Sequence, residues 1–332
     1  MNGFVSLMAV LTFGAAAAQP NPKVYPSIHR RLVLPGAASG ITEARLVSRS
    51  VGFVWSSLDL WRTSDGGRRW QLVVLPSVAV RGGITDCRFL TPSFGWILMG
   101  DGVHFTSDGG ASWWGRQPKG FVAEDVSCVG DRLPCWVSGG EVLAPNPSAR
   151  TKPVIFRTED GAEWNRQTLP ASDAQEIRSL HFASDSNGLA VGDHALFYTR
   201  DGGATWARAK LKTECVGPAL STEGAYVTFG AAYLGESAWV ALDHNLLRTD
   251  DGGRTFCERG YPPNATLRQV FFTSLTAGWG VDHWGRLYHT RDGGDSWQIA
   301  DLRLHIVDLD VLSPTLAWVV APGNLYEMAL GN

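Results

Sequence analysis

Short apolar stretches separated by glycines and polar residues follow one another along nearly the whole chain. In one part the order is 84–90, then 95–100, then the turn TSDGG, then a segment that starts at Trp113. The same order returns as 267–273, 278–284, TRDGG and a segment that starts at Trp297. Short runs rich in β-branched and aromatic side chains, broken by glycine, are typical of strands and argue against helical repeats. The pattern predicts an all-β fold with four short strands in each repeating unit.

The turn Thr-x-Asp-Gly-Gly-x-x-Trp, here called the repeat turn, marks each unit and sets the repeat length. Six copies occur at a base period near 41 residues, with two longer intervals. Their aspartates and closing aromatic residues are Asp65 and Trp70, Asp108 and Trp113, Asp160 and Trp164, Asp201 and Trp206, Asp251 and Phe256, and Asp292 and Trp297. Units of about 40 residues with four strands are characteristic of propeller blades.

The composition of the repeat turn indicates a structural role. Threonine and aspartate oxygens can accept backbone N–H groups inside a turn, the glycines tolerate positive φ, and the aromatic residue can pack between blades. One carboxylate in each turn supplies too few oxygen ligands for a calcium site. We therefore interpret the turn as a structural element that stabilises each blade and predict no metal or cofactor there.

The two ends of the chain predict how the ring closes. After the sixth turn the stretches 304–312, 316–323 and 324–328 provide three strands of a seventh unit without a fourth. The segment 28–36 resembles 70–76, the fourth strand of the first unit. The sequence predicts a seven-bladed β-propeller with four antiparallel strands per blade, the last blade being closed by an N-terminal strand. Residues 19–332 would form this single domain.

The N-terminal segment and the cysteines indicate export. An apolar run over 4–18 ends on three alanines before a polar stretch, which predicts a signal peptide over 1–18 and a mature protein in a periplasm, thylakoid lumen or extracellular space. No later segment is apolar enough to cross a membrane. Of five cysteines, Cys128 and Cys135 flank a hairpin loop and form a candidate disulfide, and Cys215 and Cys257 form a second candidate pair. Cys87 fits a small core residue.

Acidic side chains recur at one position of the predicted inner strands. They are Glu43, Asp86, Asp125 and Asp308, and they predict an acidic ring at the mouth of the central channel. Arg45 and Arg88 share a second inner-strand position, which His181 takes in the fourth unit. The alternative interpretation is that these polar residues merely face water in the channel.

A second candidate site lies in the turns between the second and third strands. Asp-His pairs recur there in three consecutive units, on the face opposite the repeat turns. They are Asp193 and His194, Asp243 and His244, and Asp282 and His283, with Trp284 beside the last pair. The alternative is that aspartate and histidine serve here only as ordinary turn residues.

The repeat turn resembles the Asp-box, or BNR repeat, of sialidases, sortilin-type receptors, xyloglucanases and photosystem II assembly factors. A Gly-Trp or Ala-Trp strand before the turn, as at 95–96, 238–239, 278–279 and 317–318, is most similar to the photosystem II assembly and stability factors of cyanobacteria and chloroplasts. The resemblance implies an exported seven-bladed propeller that binds a membrane-protein partner; the assembly role itself would apply in a phototrophic source.

These observations favour a binding function over catalysis. Sialidases carry an Arg-Ile-Pro element that this chain lacks, and no pair of carboxylates stands out as the catalytic pair of a glycosidase. A net charge of -3 provides no basic surface for nucleic acid. We predict a monomeric, non-enzymatic scaffold for a protein partner, such as a membrane protein or its exported segment. The alternative is a glycoside hydrolase or sialidase-like carbohydrate-active propeller.

Overall fold

The computed structural model describes residues 26–34, 40–76, 83–100, 102–115, 120–130, 133–142, 151–172, 174, 176–192, 195–215, 227–242 and 245–331. Seven sheets stand around a central channel, which confirms the predicted seven-bladed β-propeller. The predicted signal peptide lies outside the described residues. Within those ranges, no helix has the length and apolar character needed to cross a bilayer.

Blades 1 to 4 follow one another in chain order, with the inner strand first in each. Blade 1 contains β2 (Glu43–Leu46), β3 (Gly52–Trp55), β4 (Leu60–Thr63) and β5 (Gln71–Val73). Blade 2 contains β6 (Ile84–Phe89), β7 (Gly95–Met99) and β8 (Gly102–Thr106). Blade 3 contains β9 (Phe121–Cys128), β10 (Cys135–Val142), β11 (Thr151–Thr158) and β12 (Asn165–Gln167). Blade 4 contains β13 (Ile177–Phe182), β14 (Gly188–Gly192), β15 (Leu196–Thr199) and β16 (Ala207–Arg208).

Blades 5 to 7 complete the ring. Strand β17 (Lys210–Leu211) and a 3₁₀ turn (Thr213–Cys215) precede blade 5. Blade 5 contains β18 (Val227–Leu234), β19 (Ser237–Leu242), β20 (Leu246–Thr249) and β21 (Thr255–Arg259). Blade 6 contains β22 (Leu267–Phe272), β23 (Gly278–Asp282), β24 (Leu287–Thr290) and β25 (Gln298–Ala300). Blade 7 contains β26 (Asp308–Ser313), β27 (Leu316–Ala321), β28 (Asn324–Ala329) and the N-terminal β1 (Ser27–Leu32).

The seventh blade is closed by a strand from the other end of the chain. The outermost strand β1 pairs antiparallel with β28, from Ser27 opposite Ala329 to Leu32 opposite Leu325. An ion pair of 2.8 Å between Arg30 Nη2 and an oxygen of Glu327 supports the same pairing. The blade therefore has four strands although only three come from the C-terminal part of the sequence.

Two local features differ from a regular array of four-stranded blades. In blade 2 the described part of the segment predicted as a strand from Trp113 onward forms one bridge, between Phe105 and Trp114. Gly115 follows directly and has a φ of 140°, a conformation that favours glycine. In blade 5 the short strand β17 adds parallel to β21. Disulfides join Cys128 to Cys135 and Cys215 to Cys257, and Cys87 is buried.

Aromatic side chains fill the contacts between neighbouring blades. Trp239 on the second strand of blade 5 stacks on Phe272 of blade 6 at 3.9 Å between ring centroids, and Trp297 packs against Phe272 edge-on. The same three-ring arrangement is formed by Phe53, Phe89 and Trp113, and by Trp136, Phe182 and Trp206. The second-strand rings are completely buried, whereas most repeat-turn tryptophans are only half-buried. The main packing anchors are therefore the second-strand aromatic residues.

The repeat turns use their own aspartates internally. In the first turn Thr63 Oγ1 accepts the N–H of Gly67 at 2.9 Å, and Asp65 Oδ1 accepts that of Arg69 at 2.9 Å. In the second, Asp108 accepts both the N–H and the hydroxyl of Ser112, and these bonds lower the pKa of Asp108 to about 2. Because the carboxylate oxygens are bonded within the turn, they are poorly placed to bind anything outside it.

Candidate functional site in the central channel

The strand register brings the polar inner-strand residues together on two levels of the channel. The first level lies toward the face opposite the repeat turns and contains Glu43, Asp86, Asp125, Gln269 and Asp308, which pair with equivalent positions of the second strands. The second level, nearer the repeat turns, contains Arg45, Arg88, His181 and Asp310. Successive residues of a strand point to opposite sides, so positions two apart line the same channel wall.

Asp308 connects three blades. Its side chain is 2% exposed, and Oδ2 accepts the backbone N–H of Ala44 at 2.9 Å and Nη1 of Arg45 at 3.0 Å. The other oxygen accepts the amide of Gln269 at 2.6 Å. One carboxylate therefore bonds blade 7 to blade 1 on one side and to blade 6 on the other. Charge-assisted bonds of this kind are about twice as strong as neutral ones.

Two other carboxylates in the channel also bind the backbone of the following blade. Asp125 Oδ2 in blade 3 accepts the N–H of Leu180 in blade 4 at 2.8 Å. Burial, and next the nearby Asp86, raise the pKa of Asp125 to about 7. Asp310 accepts the N–H of Leu46 at 2.5 Å. These acidic positions therefore fasten adjacent inner strands, besides lining the channel.

Glu43 has a different environment from the other acidic residues. No hydrogen bond from a backbone N–H reaches its carboxyl group within the described residues, and its nearest cation, Arg45, is 3.6 Å away. Burial, and then the charge of Asp308, raise its pKa to about 8, although Arg45 acts in the opposite direction. The Glu43 carboxyl is therefore mostly protonated at neutral pH and can donate a hydrogen bond into the channel.

Replacing this carboxyl gives a test with a defined pH dependence. The pKa of Glu43 rises from an ordinary value of 4.5 to about 8 in the folded protein. Between these values the folded state holds more protons than the unfolded state, so the contribution of Glu43 is complete below pH 4.5 and is lost as the pH rises through 8. Glu43→Gln removes this loss. Because the side chain is 33% exposed and water screens its charge, we expect the variant to gain only about 1–2 kcal/mol over the wild type in alkaline solution.

The gain is measured by guanidinium denaturation of both proteins at about pH 4 and about pH 9. Glu159→Gln, which changes a carboxyl that is exposed on a repeat turn, is the matched control. A stability difference between Glu43→Gln and wild type that is the same at both pH values would contradict a raised pKa of Glu43.

A cavity opens beside the second level, on the face that carries the repeat turns. It has a volume of about 490 Å³. In blades 3, 4 and 5 it is lined by the end of the first strand and by the turn that leads to the second strand. Its floor contains the rings of His181 and Tyr233, which stack at 4.7 Å between centroids. Burial and the charge of Arg88 lower the pKa of His181 to about 3, so the imidazole is neutral. We call this cavity the His181–Tyr233 pocket.

Some polar groups of the His181–Tyr233 pocket have bonding partners among the described residues and others do not. The Tyr233 hydroxyl is buried and has no hydrogen-bond partner within the described ranges, and burial raises its pKa. At the rim, Arg200 Nη2 forms an ion pair of 2.6 Å with Glu236. A buried hydroxyl without a partner is costly, so a ligand that bonds to it gains affinity. The pocket therefore offers a hydrogen-bonding group at its base and charges at its edge.

On the opposite face, Asp282 and His283 form the only predicted Asp-His pair in the described part of the chain, and the two side chains differ in burial. Asp282 is completely buried and accepts the N–H groups of Trp284 at 3.0 Å and Arg286 at 2.8 Å. Its second oxygen accepts Arg286 Nε at 2.6 Å and the hydroxyl of Tyr288 at 3.2 Å. His283 and Trp284 are exposed. Asp282 thus stabilises the turn through these hydrogen bonds. The other predicted pairs, Asp193 with His194 and Asp243 with His244, lie outside the described residues.

Asp310, Gln269 and Tyr233 are functional candidates that the sequence pattern does not single out. Asp310 could have been found, because it lies two residues after Asp308 on one strand and must face the same side. Gln269 occupies the position of the acidic residues in blade 6, but an amide does not stand out in a search for charges. Tyr233 belongs to no motif, and only the packing of blade 5 against blade 4 places its ring on His181.

Among the residues that the structure describes, no three His, Cys, Asp or Glu side chains could hold a metal ion.

Proteins of known structure with the same fold differ in what they do. The structure of YCF48 bound to a D1 peptide superposes with a TM-score of 0.65 at 17% identity, covering 94% of this chain and 98% of that one. A streptogramin B lyase has a TM-score of 0.66 at 10% identity, covering 91% of this chain and 97% of that one. An ancestral GH74 enzyme has a TM-score of 0.66 at 11% identity, covering 91% of this chain and 46% of its own. No family model and no curated protein matches the sequence. At these identities the likeness establishes the propeller fold alone.

Proposed function

We propose that this chain is an exported, non-catalytic scaffold that binds a peptide segment of a partner protein in the His181–Tyr233 pocket. The observation that carries the proposal is the buried hydroxyl of Tyr233, which has no hydrogen-bond partner among the described residues, at a cavity of about 490 Å³. Cavities of about 300–1,000 Å³ are typical ligand sites. A peptide can supply the missing hydrogen bond through a backbone carbonyl or amide, while a side chain covers the stacked rings.

The comparison with YCF48 supports a peptide as the ligand. That propeller, which matches nearly the full length of this chain, was solved with a D1 peptide bound. The resemblance of the repeat turns and second strands to the photosystem II factors favours the same class of partner. We therefore propose a membrane protein, or a segment of it exposed outside the cytoplasm, as the partner of this chain.

The bonding of the channel carboxylates supports the absence of catalysis. A glycosidase needs two carboxyl groups about 5–10 Å apart and free to act on opposite sides of a sugar. Asp308 and Asp125 instead accept backbone N–H groups of the next blade. Changing their protonation or position would disturb the contacts between blades, which argues against their use as general acids.

One observation favours the alternative, a glycoside hydrolase. Glu43 has its pKa raised to about 8, and a carboxyl group that stays protonated near neutral pH is what a general acid requires. The ancestral GH74 enzyme also shares the fold. In that case aryl glycosides would be turned over, and Glu43→Gln would abolish the turnover.

The binding proposal is tested by removing one oxygen atom. A random peptide library displayed on phage is selected against the wild-type protein, and the enriched peptide is synthesised. Tyr233→Phe keeps the ring and loses the hydroxyl, so it should weaken binding of this peptide about 5–10-fold, the effect of one buried hydrogen bond of about 1–1.5 kcal/mol. Affinity is measured by isothermal titration calorimetry. Tyr198→Phe, a change in blade 4 outside the pocket, should leave the affinity unchanged.

Two results would contradict the proposed function. One is an enriched peptide that binds the wild type and Tyr233→Phe equally, because the pocket would then not be its site. The other is a selection that enriches no peptide, together with turnover of an aryl glycoside that Glu43→Gln abolishes. The second result would replace the scaffold by the enzyme.

A further inference from the structure

An exposed tryptophan is held rigidly on the face opposite the repeat turns. Trp284, in the turn between β23 and β24, is 59% exposed. Its backbone N–H donates to Asp282 at 3.0 Å, and its carbonyl oxygen lies 2.8 Å from Nδ1 of His305. Side chains of this size are usually covered, and the fixed backbone lowers the entropy that the residue would lose on binding.

A cation fixes the ring as well as the backbone. The guanidinium carbon of Arg286 lies over the Trp284 ring, 5.0 Å from its centroid. Arg286 is itself bonded to Asp282 at 2.6 Å and to the carbonyl oxygen of Asn264 at 2.7 Å. The arginine charge is therefore used inside the fold, and it holds the indole as a preformed flat platform.

A cavity of about 520 Å³ lies between Trp284 and the segment 261–266. This opposite wall is also anchored, because the Tyr261 hydroxyl accepts the N–H of Leu267 at 2.5 Å and donates to the carbonyl oxygen of Leu242 at 3.3 Å. Two consecutive prolines restrict the segment further. The remaining polar side chains at the cavity are those of Asn264 and Thr266, and among the described residues no charged side chain lines it.

We propose that this cavity binds a neutral pyranose unit of a glycan, with the sugar ring stacked on Trp284. A pyranose has a face of C–H groups that suits the electron-rich face of an indole. Its hydroxyl groups lie around the edge of the ring, where the Asn264 amide and the Thr266 hydroxyl can bond to them. Because the lining formed by the described residues is uncharged, it favours a neutral ligand over an ionic one.

A proline-rich peptide fits this cavity less well than a sugar. Peptides in the polyproline conformation are bound by grooves with several aromatic ridges. Here Trp284 is the exposed aromatic side chain of the lining, while Tyr261 is half-buried and its hydroxyl is bonded. A single flat ring beside an amide and a hydroxyl matches one sugar unit.

The test uses an array of neutral glycans and affinity electrophoresis in gels that contain dextran, galactomannan, xyloglucan or a β-glucan. We expect the wild type to bind at least one of these glycans, Trp284→Ala to weaken that binding at least about 10-fold, and Trp284→Tyr to retain part of it. Ile299→Ala is the matched control, because Ile299 lies in the same blade and is also 59% exposed. It should bind like the wild type.

Three outcomes would overturn the glycan site. They are no binding to any neutral glycan on the array, glycan binding that Trp284→Ala leaves unchanged, and binding of a proline-rich peptide that depends on Trp284 while glycans do not bind. Circular dichroism of Trp284→Ala is the check on folding, and we expect the spectrum of the wild type because the ring is exposed. The cavity lies on the opposite face from the His181–Tyr233 pocket, so either proposal can fail without the other.

Discussion

Trp239→Ala should lower the free energy of unfolding by about 3–5 kcal/mol, because it removes a large, completely buried ring from the contact between blades 5 and 6. The ring stacks on Phe272 at 3.9 Å, its indole N–H donates to the carbonyl oxygen of Gly293 at 2.9 Å, and the guanidinium of Arg248 lies over it at 4.9 Å. The substitution leaves a cavity and an unpaired carbonyl group, and both effects destabilise the protein.

Equilibrium denaturation in guanidinium chloride measures this loss. Trp284→Ala is the matched control, since it removes the same side chain from an exposed turn of blade 6 and should change the free energy by less than about 0.5 kcal/mol. If Trp239→Ala destabilised the fold no more than Trp284→Ala, the second-strand aromatic residues would not be the anchors of blade packing.

Asp308→Ala is expected to destabilise the protein by a similar amount, about 3–5 kcal/mol, because it leaves a buried cation without its partner. Arg45, whose side chain is 18% exposed, would lose the contact at 3.0 Å. The N–H of Ala44 and the amide of Gln269 would lose an acceptor at the same time. The substitution mainly weakens the contact of blade 7 with blade 1, where the ring closes.

The effect of Asp308→Ala is read from the denaturation midpoint and the slope of the transition. Asp301→Ala is the control, because Asp301 is 74% exposed and its contact with Arg303 is 3.9 Å long. Exposed pairs contribute about 0–1 kcal/mol, so the control should unfold close to the wild type. An unchanged midpoint for Asp308→Ala would mean that its three bonds do not hold the ring together.

The blade architecture could be predicted from the sequence because its signals are local and repeated. The glycines of the repeat turns and the short apolar runs between them define strands within about 40 residues, and each blade repeats the same pattern. The missing fourth strand of the seventh unit pointed to the N-terminal segment, and β1 does pair with β28. For the strand predicted from Trp113 onward, the described residues contribute one bridge, between Phe105 and Trp114, before Gly115 adopts a positive φ.

The roles of the channel residues depend on contacts between blades, and the sequence holds no equally local signal for these. The number of residues between each acidic residue and the following second strand places Asp125 and Asp308 at equivalent positions of their inner strands. Whether their oxygens face solvent or the N–H groups of Leu180 and Ala44 depends on how far each blade is rotated against the next. The same holds for His181 and Tyr233, whose stacking joins blades 4 and 5.

The pairing of β1 with β28 also sets the order in which the molecule can be completed. Arg30 and Glu327, which meet across this pair, are 297 residues apart, whereas the strands of the other blades meet within a single unit. Synthesis from the N-terminus produces β1 before blades 1 to 6 and its partner β28 after them. Until β28 arrives, the blades already formed are an open arc rather than a ring, and β1 is a strand without a sheet. Closure of the circle therefore has to wait until the strands of all seven blades have been made.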